Sequence, residues 1–234
     1  MKLAVWSGPR NLSTAMMYAF SNRDDFAAWD EPFYAPYLAA TGADHPMRDA
    51  ILAAHETDPQ KVATRCAGPV PDGKAHFYMK HMPHHMLPAF PLDWARGCTH
   101  VHLVRHPARV IASYIAKREN PTLADIGYVQ QASLFEQIGG VVIDSIDIRR
   151  NPESALRRLC SEIGLTFDEA MLTWPAGPRA EDGIWAKHWY GAVHDSTGFA
   201  EAEGPLPHID GAAAALCDAA MPYYEGLAAR SLSV

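Results

Sequence analysis

A chain of 234 residues, 48% hydrophobic and 20% charged, can bury a full core within one domain. It has neither the composition of a disordered chain nor an apolar stretch approaching the roughly 18 residues of a membrane span. Its net charge of −7 excludes a general affinity for nucleic acid or anionic membranes, so any phosphate site has to come from local placement of arginines.

The start, MKLAVWSGPR, holds too short an apolar run for a secretory leader, and a single cytoplasmic domain over residues 1–234 is expected. The first element is a strand over Leu3 to Trp6. It is followed by SGPRNLST, residues 7–14, and a helix from Ser13 to Asn22. Strand, tight loop and helix start aim backbone N–H groups and a helix dipole at one spot, the geometry of an anion site. A Walker A loop needs a second glycine and a lysine that Leu12, Ser13 and Thr14 do not supply, which disfavours an ATP or GTP hydrolase. The cation here is Arg10, whose planar fork suits bidentate contact with an oxyanion. A plainer reading is that Asn11 or Ser13 only caps the helix.

The second strand, Phe26 to Trp29, runs into Asp30-Glu31-Pro32-Phe33, where Glu31 reads either as a solvated turn acid or as a base. A helix is expected over Met47 to Glu56, irregular chain over Cys66 to Lys74, and a third strand over Phe77 to Met79. Lys80-His81-Met82-Pro83 follows. His81, His84 and His85 form an H-x-x-H-H run without the acidic partner of a zincin site, and no metal is expected. The fourth strand, Val101 to Val104, delivers Arg105-His106-Pro107, and Pro107 opens a helix to Lys117 in which Ser113 lies two turns on. Arg105 and Ser113 can then share one phosphate through a charge-assisted and a neutral hydrogen bond.

A helix over Tyr128 to Gln137 and a fifth strand over Val141 to Ile143 come next, with Asp144 read as a polar strand end. A helix over Pro152 to Ile163 is capped by Asn151 and ended by Gly164. Glycine, proline and aromatics mix from Pro175 to Pro207, a candidate lid, before a last helix over Gly211 to Arg230. Cys66, Cys98, Cys160 and Cys217 are dispersed without a C-x-x-C pair and are expected to be buried thiols. Five continuous apolar strands separated by helices predict an α/β domain with a parallel sheet covered on both faces. Ligands of such a sheet bind at the carboxyl ends of its strands.

Arg105-x-Pro107, with Ser113 after five further residues, resembles the 3′-phosphate site of the sulfotransferase family, and the SGPRxxST loop resembles the 5′-phosphosulfate loop of its bacterial members. The likeness continues through 141–144, 151–153, 156–160 and 163–167, so that positions 1–170 are covered with varying density. It implies a P-loop-like, three-layer α/β sandwich of about five parallel strands. It also implies a nucleotide-binding transferase that uses 3′-phosphoadenosine-5′-phosphosulfate (PAPS) and releases adenosine 3′,5′-bisphosphate (PAP). The sulfuryl group would pass to a hydroxyl or amine of a small-molecule acceptor, without a metal.

By position, the resemblance implies that Arg10 steadies the bridging and leaving oxygens, that Asn11, Ser13 and Thr14 bind the 5′-phosphosulfate, and that Arg105 and Ser113 bind the 3′-phosphate. Leu12 stands where the family often has glycine. Two residues compete as base. Glu31 matches the glutamate of bacterial and Golgi-type members, and its EPF context makes it the first choice. His81 lies in a motif similar to K-x-H-x-P with one residue missing, a shortening that puts Lys80 on the opposite face of an extended chain and lets His81 and Pro83 carry over. An imidazole of ordinary pKa, about 6.5, suits base work at neutral pH.

Lys187, in the aromatic stretch 183–190, matches the basic residue of the family's C-terminal loop at the 3′-phosphate, with Trp185 or Trp189 over adenine. Packing of these rings into the core is the other reading. A magnesium-dependent P-loop kinase or hydrolase and a non-catalytic member of the sulfotransferase fold are the alternatives. The acceptor and the oligomeric state are not legible in the sequence.

Overall fold

The structure, a computed structural model, describes residues 1–116 and 120–234. β1 (Lys2–Ser7), α1 (Ser13–Ser21), β2 (Phe26–Asp30), α2 (Tyr34–Thr41), α3 (Arg48–Ala54) and α4 (Pro59–Ala67) make up the first third. β3 (His76–His81), β4 (Thr99–Val104), α5 (Pro107–Ile115), α6 (Leu123–Ile126), α7 (Tyr128–Ile138) and β5 (Val141–Asp144) follow. α8 (Ser145–Arg150), α9 (Pro152–Glu162), α10 (Ala186–Trp189), α11 (Gly191–His194) and α12 (Gly211–Ala228) complete the chain. The end expected for the fifth-numbered helix, Lys117, lies outside the described residues.

All five strands pair in parallel in the order β2-β3-β1-β4-β5. The chain therefore leaves β1 to one side for β2 and β3 and to the other for β4 and β5. That reversal opens a crevice at the carboxyl ends, the place where open parallel sheets hold ligands.

Side chains alternate across the sheet. Leu3, Val5, Tyr78, Val101, Leu103 and Ile143 face one layer, packed on α1 and α9. Ala4, Trp6, Phe77 and Met79 face the other, packed on α4, Phe33 and Trp94. Burial on both faces explains why these strands read as continuous apolar runs. α12 covers α5, α7 and the far edge of β5. The expected capping of α9 is present, since the Asn151 side chain accepts from the Ser154 N–H at 3.1 Å and Gly164 follows with φ +72°. Asp144 likewise caps α8 through the Ile146 N–H at 3.0 Å and accepts from the Tyr224 hydroxyl at 2.7 Å. All four cysteines are free thiols; three are buried and Cys98 is partly so. No helix among the described residues is long and apolar enough to cross a membrane.

Candidate active site

The β1–α1 loop is shaped by three constraints. At Gly8 a Cβ would stand 2.6 Å from the Ile126 carbonyl oxygen, so only glycine fits against the α6 turn. Asn11 is buried and donates its Nδ2 to the Leu103 carbonyl at 2.8 Å, which ties the loop to β4. Arg10 and Leu12 take left-handed φ values of 59° and 56°. Such backbone costs about 1–2 kcal/mol per non-glycine residue. Glu31 is a third case, at φ 40°, so three of the six positive-φ non-glycines among the described residues fall in this one site. Asn11 is thus engaged with β4, and Leu12, the residue that caps α1, offers no side-chain acceptor. The plain capping reading of the loop therefore has no geometry behind it.

The two arginines singled out in the sequence meet. Arg10 donates its Nε to the Ser113 hydroxyl at 2.9 Å, and Arg105 donates its Nη1 to the Arg10 carbonyl at 2.6 Å. Partial burial, and then the charge of Arg105, lower the pKa of Arg10, leaving a cation short of compensating anions. Tyr128 fixes the backbone by donating its hydroxyl to the Arg105 carbonyl at 2.6 Å. Beyond Arg105 the cationic wall extends to Arg109 on α5 and Arg149 on α8. Their guanidinium nitrogens lie 2.9 Å from the carboxylate of Glu203, which Arg105 also contacts. Sequence reading missed Arg109, Arg149 and Glu203. Arg109, one turn from Arg105, was the only one with a local signal.

Across the cavity lies a buried carboxylate cluster. Lys80 donates its Nζ to Asp30 Oδ1 at 2.8 Å, to Glu31 Oε1 at 2.5 Å and to the Tyr190 hydroxyl at 2.7 Å. Tyr190 in turn donates to Asp30 Oδ2 at 2.7 Å. Burial raises the Glu31 pKa; Lys80 opposes it and Asp30 adds to it. Burial works against the charge of Lys80, yet the two carboxylates hold its pKa above the ordinary value. His85 Nδ1 lies 3.7 Å from Glu31 Oε2, its ring stacked on Tyr34 at 4.5 Å.

A cavity of about 370 Å³ joins both walls, with Arg10, Ser13, Thr14, Arg105 and Ser113 on one side and Glu31 and Lys80 on the other. Asn11 borders it as well. His81 is not brought to it. Strand alternation places His81 with Phe77 and Met79, stacked on Trp6 at 4.5 Å with Trp94 at 5.0 Å, and burial lowers its pKa to about 3. Lys80, on the other face, reaches the cavity instead. The sequence reading had the alternation right and the facing residue inverted, because only the sheet's register sets which side is the crevice. Lys187 is exposed on α10 and does not line the cavity. Trp185 is in the core beside Tyr34, whereas Trp189 does border the cavity. The segment expected to be a lid supplies Trp189 and Tyr190 to the wall.

Fold and site together define a parallel α/β domain with an arginine-lined cavity at the carboxyl ends of its strands. The chain belongs to the sulfotransferase family: residues 1–231 match the family described as Sulfotransferase domain. It is 36% identical over 232 residues to the branched-chain-amino-acid aminotransferase-like protein 1 of Arabidopsis thaliana and 35% identical over 230 residues to protein 2 of the same plant. Each match takes in 94% of this chain and 40% of the relative, so the chain spans well under half the length of these curated relatives. In fold it is similar to a sulfotransferase from Alicyclobacillus acidocaldarius (TM-score 0.55, 11% identity, 98% of this chain and 96% of that one). It is also similar to the sulfotransferase domain from the curacin biosynthetic pathway (TM-score 0.54, 14% identity, 93% and 96%).

Proposed function

We propose that the chain moves a sulfuryl group from PAPS to a hydroxyl or amine of a small-molecule acceptor. The observation that carries this reading is the hydrogen-bonded chain Arg105–Arg10–Ser113 on one wall of a cavity whose other wall holds Glu31 and Lys80. The residues suit a polyanionic donor, because Arg10, Arg105 and Arg149 line one wall of the cavity and Arg109 stands beside them. Bound there, the donor supplies an activated sulfuryl group and a stable bisphosphate leaving group.

The chain's own work is positioning, charge compensation and proton removal. Ser13, Thr14 and the α1 N-terminus would hold the 5′ end, with Asn11 fixing the loop's shape from behind. Arg10 would offset charge at the leaving oxygen, and Arg105 and Ser113 would hold the 3′-phosphate. Glu31 is the base: it borders the cavity, and burial raises its pKa above the ordinary carboxyl value, which makes it a stronger proton acceptor. Lys80 holds that carboxylate in place and favours its ionised form. His81, enclosed by Trp6 and Trp94, is a core residue in this reading.

Titration with PAP and, separately, with ADP plus magnesium tests the proposal. PAP should bind at least tenfold more tightly. Equal or reversed preference removes the reading in favour of a nucleotide hydrolase or kinase.

A further inference from the structure

Residues 199–209 run between α11 and α12 without regular structure. The ends of this strap are anchored, Phe199 against Trp174 at 5.2 Å and Ile209 in the cluster beneath α12. Between them Glu201, Ala202, Gly204, Pro205 and Leu206 are exposed. The Glu203 side chain is the exception, at 2% exposure. Its carboxylate is held by Arg105, by Arg109 at 2.9 Å and by Arg149 at 2.9 Å, from three separate places in the fold. Among the described residues no backbone–backbone hydrogen bond secures 199–209. Its main chain is gripped by the same cations, Arg149 donating Nε to the Glu201 carbonyl at 2.8 Å and Arg109 donating to the Gly204 carbonyl.

The charge balance of this cluster is unequal, with three guanidinium groups around one carboxylate. A phosphomonoester carries about −1.5 to −2 at neutral pH and three acceptor oxygens, so it satisfies the same cations better than a monoanion with two oxygens. Arg105 and Arg149 also line the cavity, and Ala200 of the strap borders it. Arg105 and Arg149 therefore face both the strap and the ligand space, with Arg109 beside them.

We propose that Glu203 is a tethered stand-in for the phosphomonoester of an adenosine ligand, and that the strap has to release Glu203 before Arg105, Arg109 and Arg149 can take that phosphate. The proposal rests on the donor reading above and adds to it two phosphate-binding arginines and an internal competitor. A site closed by its own chain binds with an affinity reduced by the fraction of open molecules. While the strap is down, the competitor also keeps the three cations paired.

Calorimetric titration of wild type, Glu203→Ala and Glu203→Gln with PAP, and with adenosine 5′-monophosphate, which lacks the 3′-phosphate, tests this. In both variants the Kd for PAP should fall at least tenfold, and that for the monophosphate should change less than twofold. If PAP binds all three proteins equally, or binds the variants more weakly, Glu203 is a structural brace and the donor reading stands alone. An equal gain for both nucleotides overturns the assignment to the 3′-phosphate. Absence of PAP binding in all three removes the donor reading and the stand-in together. A second measurement needs no variant: a protease that cuts after glutamate should cleave wild type at Glu201 and Glu203 several-fold faster with saturating PAP. Protection by PAP would mean that the strap closes on the ligand, contrary to the proposal.

Discussion

Glu31 joins three properties seldom found in one side chain: a left-handed backbone, near-complete burial and a direct contact with a buried lysine. Lys80 faces two carboxylates, so replacing Glu31 with glutamine leaves Lys80 paired with Asp30 and removes only the excess negative charge. Glu31→Gln should therefore fold and bind PAP within about threefold of wild type. Its turnover should fall by about 10²–10⁴, the usual share of a general base. Single-turnover assays beside PAP titration separate the two effects, and undiminished turnover would show that Glu31 is not the base. Arg10→Ala removes a charged donor from the donor side and should weaken PAP binding by tenfold or more as well as slowing turnover. Lys80→Met has a distinct signature. Lys80 pulls the Glu31 pKa down and Asp30 pushes it up, so without the ammonium the carboxyl keeps its proton to higher pH. The acidic limb of kcat/KM should move upward in pH, a shift that mere loosening of the site would not produce.

The β1–α1 loop depends as much on α6 as on its own residues. Gly8 faces the Ile126 carbonyl, and the next residue of that turn, Gly127 at φ +73°, lies so near that a Cβ there would stand 3.8 Å from the Gly8 Cα. Gly8→Ala drives a methyl into main-chain oxygen rather than into a side chain that can turn away. It should cost about 1–3 kcal/mol, the range for overpacking, which at about 2–4 °C per kcal/mol for a chain of this size is a melting-point loss of several degrees. PAP binding should weaken in parallel, because the loop cannot keep its position over the cavity; an unshifted melt would show that the α6 contact does not hold the loop.

The legibility of the elements follows the same logic of local against distant cause. All five strands were readable, since burial on both faces wrote each as an apolar run; α1, α3, α5, α7, α9 and α12 were readable too, α5 and α9 with start or stop residues to mark them. α2 was missed because Pro36 and its nearly all-round apolar surface hide any periodicity. α4 was missed although Asp58 and Pro59 carry a capping signal that the structure bears out, with Asp58 accepting from the Gln60 N–H at 2.8 Å. At the site, Arg10, Arg105 and Ser113 were readable because each directly follows or soon follows a strand. Glu203 is joined to Arg105 across nearly a hundred residues, and no local pattern can announce a contact of that kind.

At the scale of the whole molecule, the histidines set a dependence on acid. His81, His85 and His102 are buried as neutral rings. Burial lowers His81 to about 3 and His102 to about 4, and places His85 well below the ordinary value, with the neighbouring imidazoles His84 and His45 and the Lys80 charge acting the same way. An unfolded chain takes up protons at these sites from pH 6.5 downward, while the folded chain does not until pH 4 or 3. The stability they contribute is therefore fully present above pH 6.5 and drains away as pH falls through that window. Glu31 and Asp144 act with the opposite sign, because their pKa values are raised by burial, so the stability linked to their protons is present at low pH and lost as pH rises. A single substitution isolates one histidine from this balance. His81 Nε2 has no hydrogen-bond partner among the described residues, and its ring stacks on Trp6 in a way phenylalanine can reproduce. His81→Phe removes the proton uptake and leaves the packing, so urea unfolding curves of variant and wild type should diverge as pH falls below 6.5. At pH 5 the variant should have gained about 2 kcal/mol relative to its standing at pH 8, from one and a half pH units below the ordinary imidazole value at about 1.4 kcal/mol each. A difference that stays constant with pH would mean that His81 takes its proton in the folded state, and with it the enclosed position between Trp6 and Trp94 would fall.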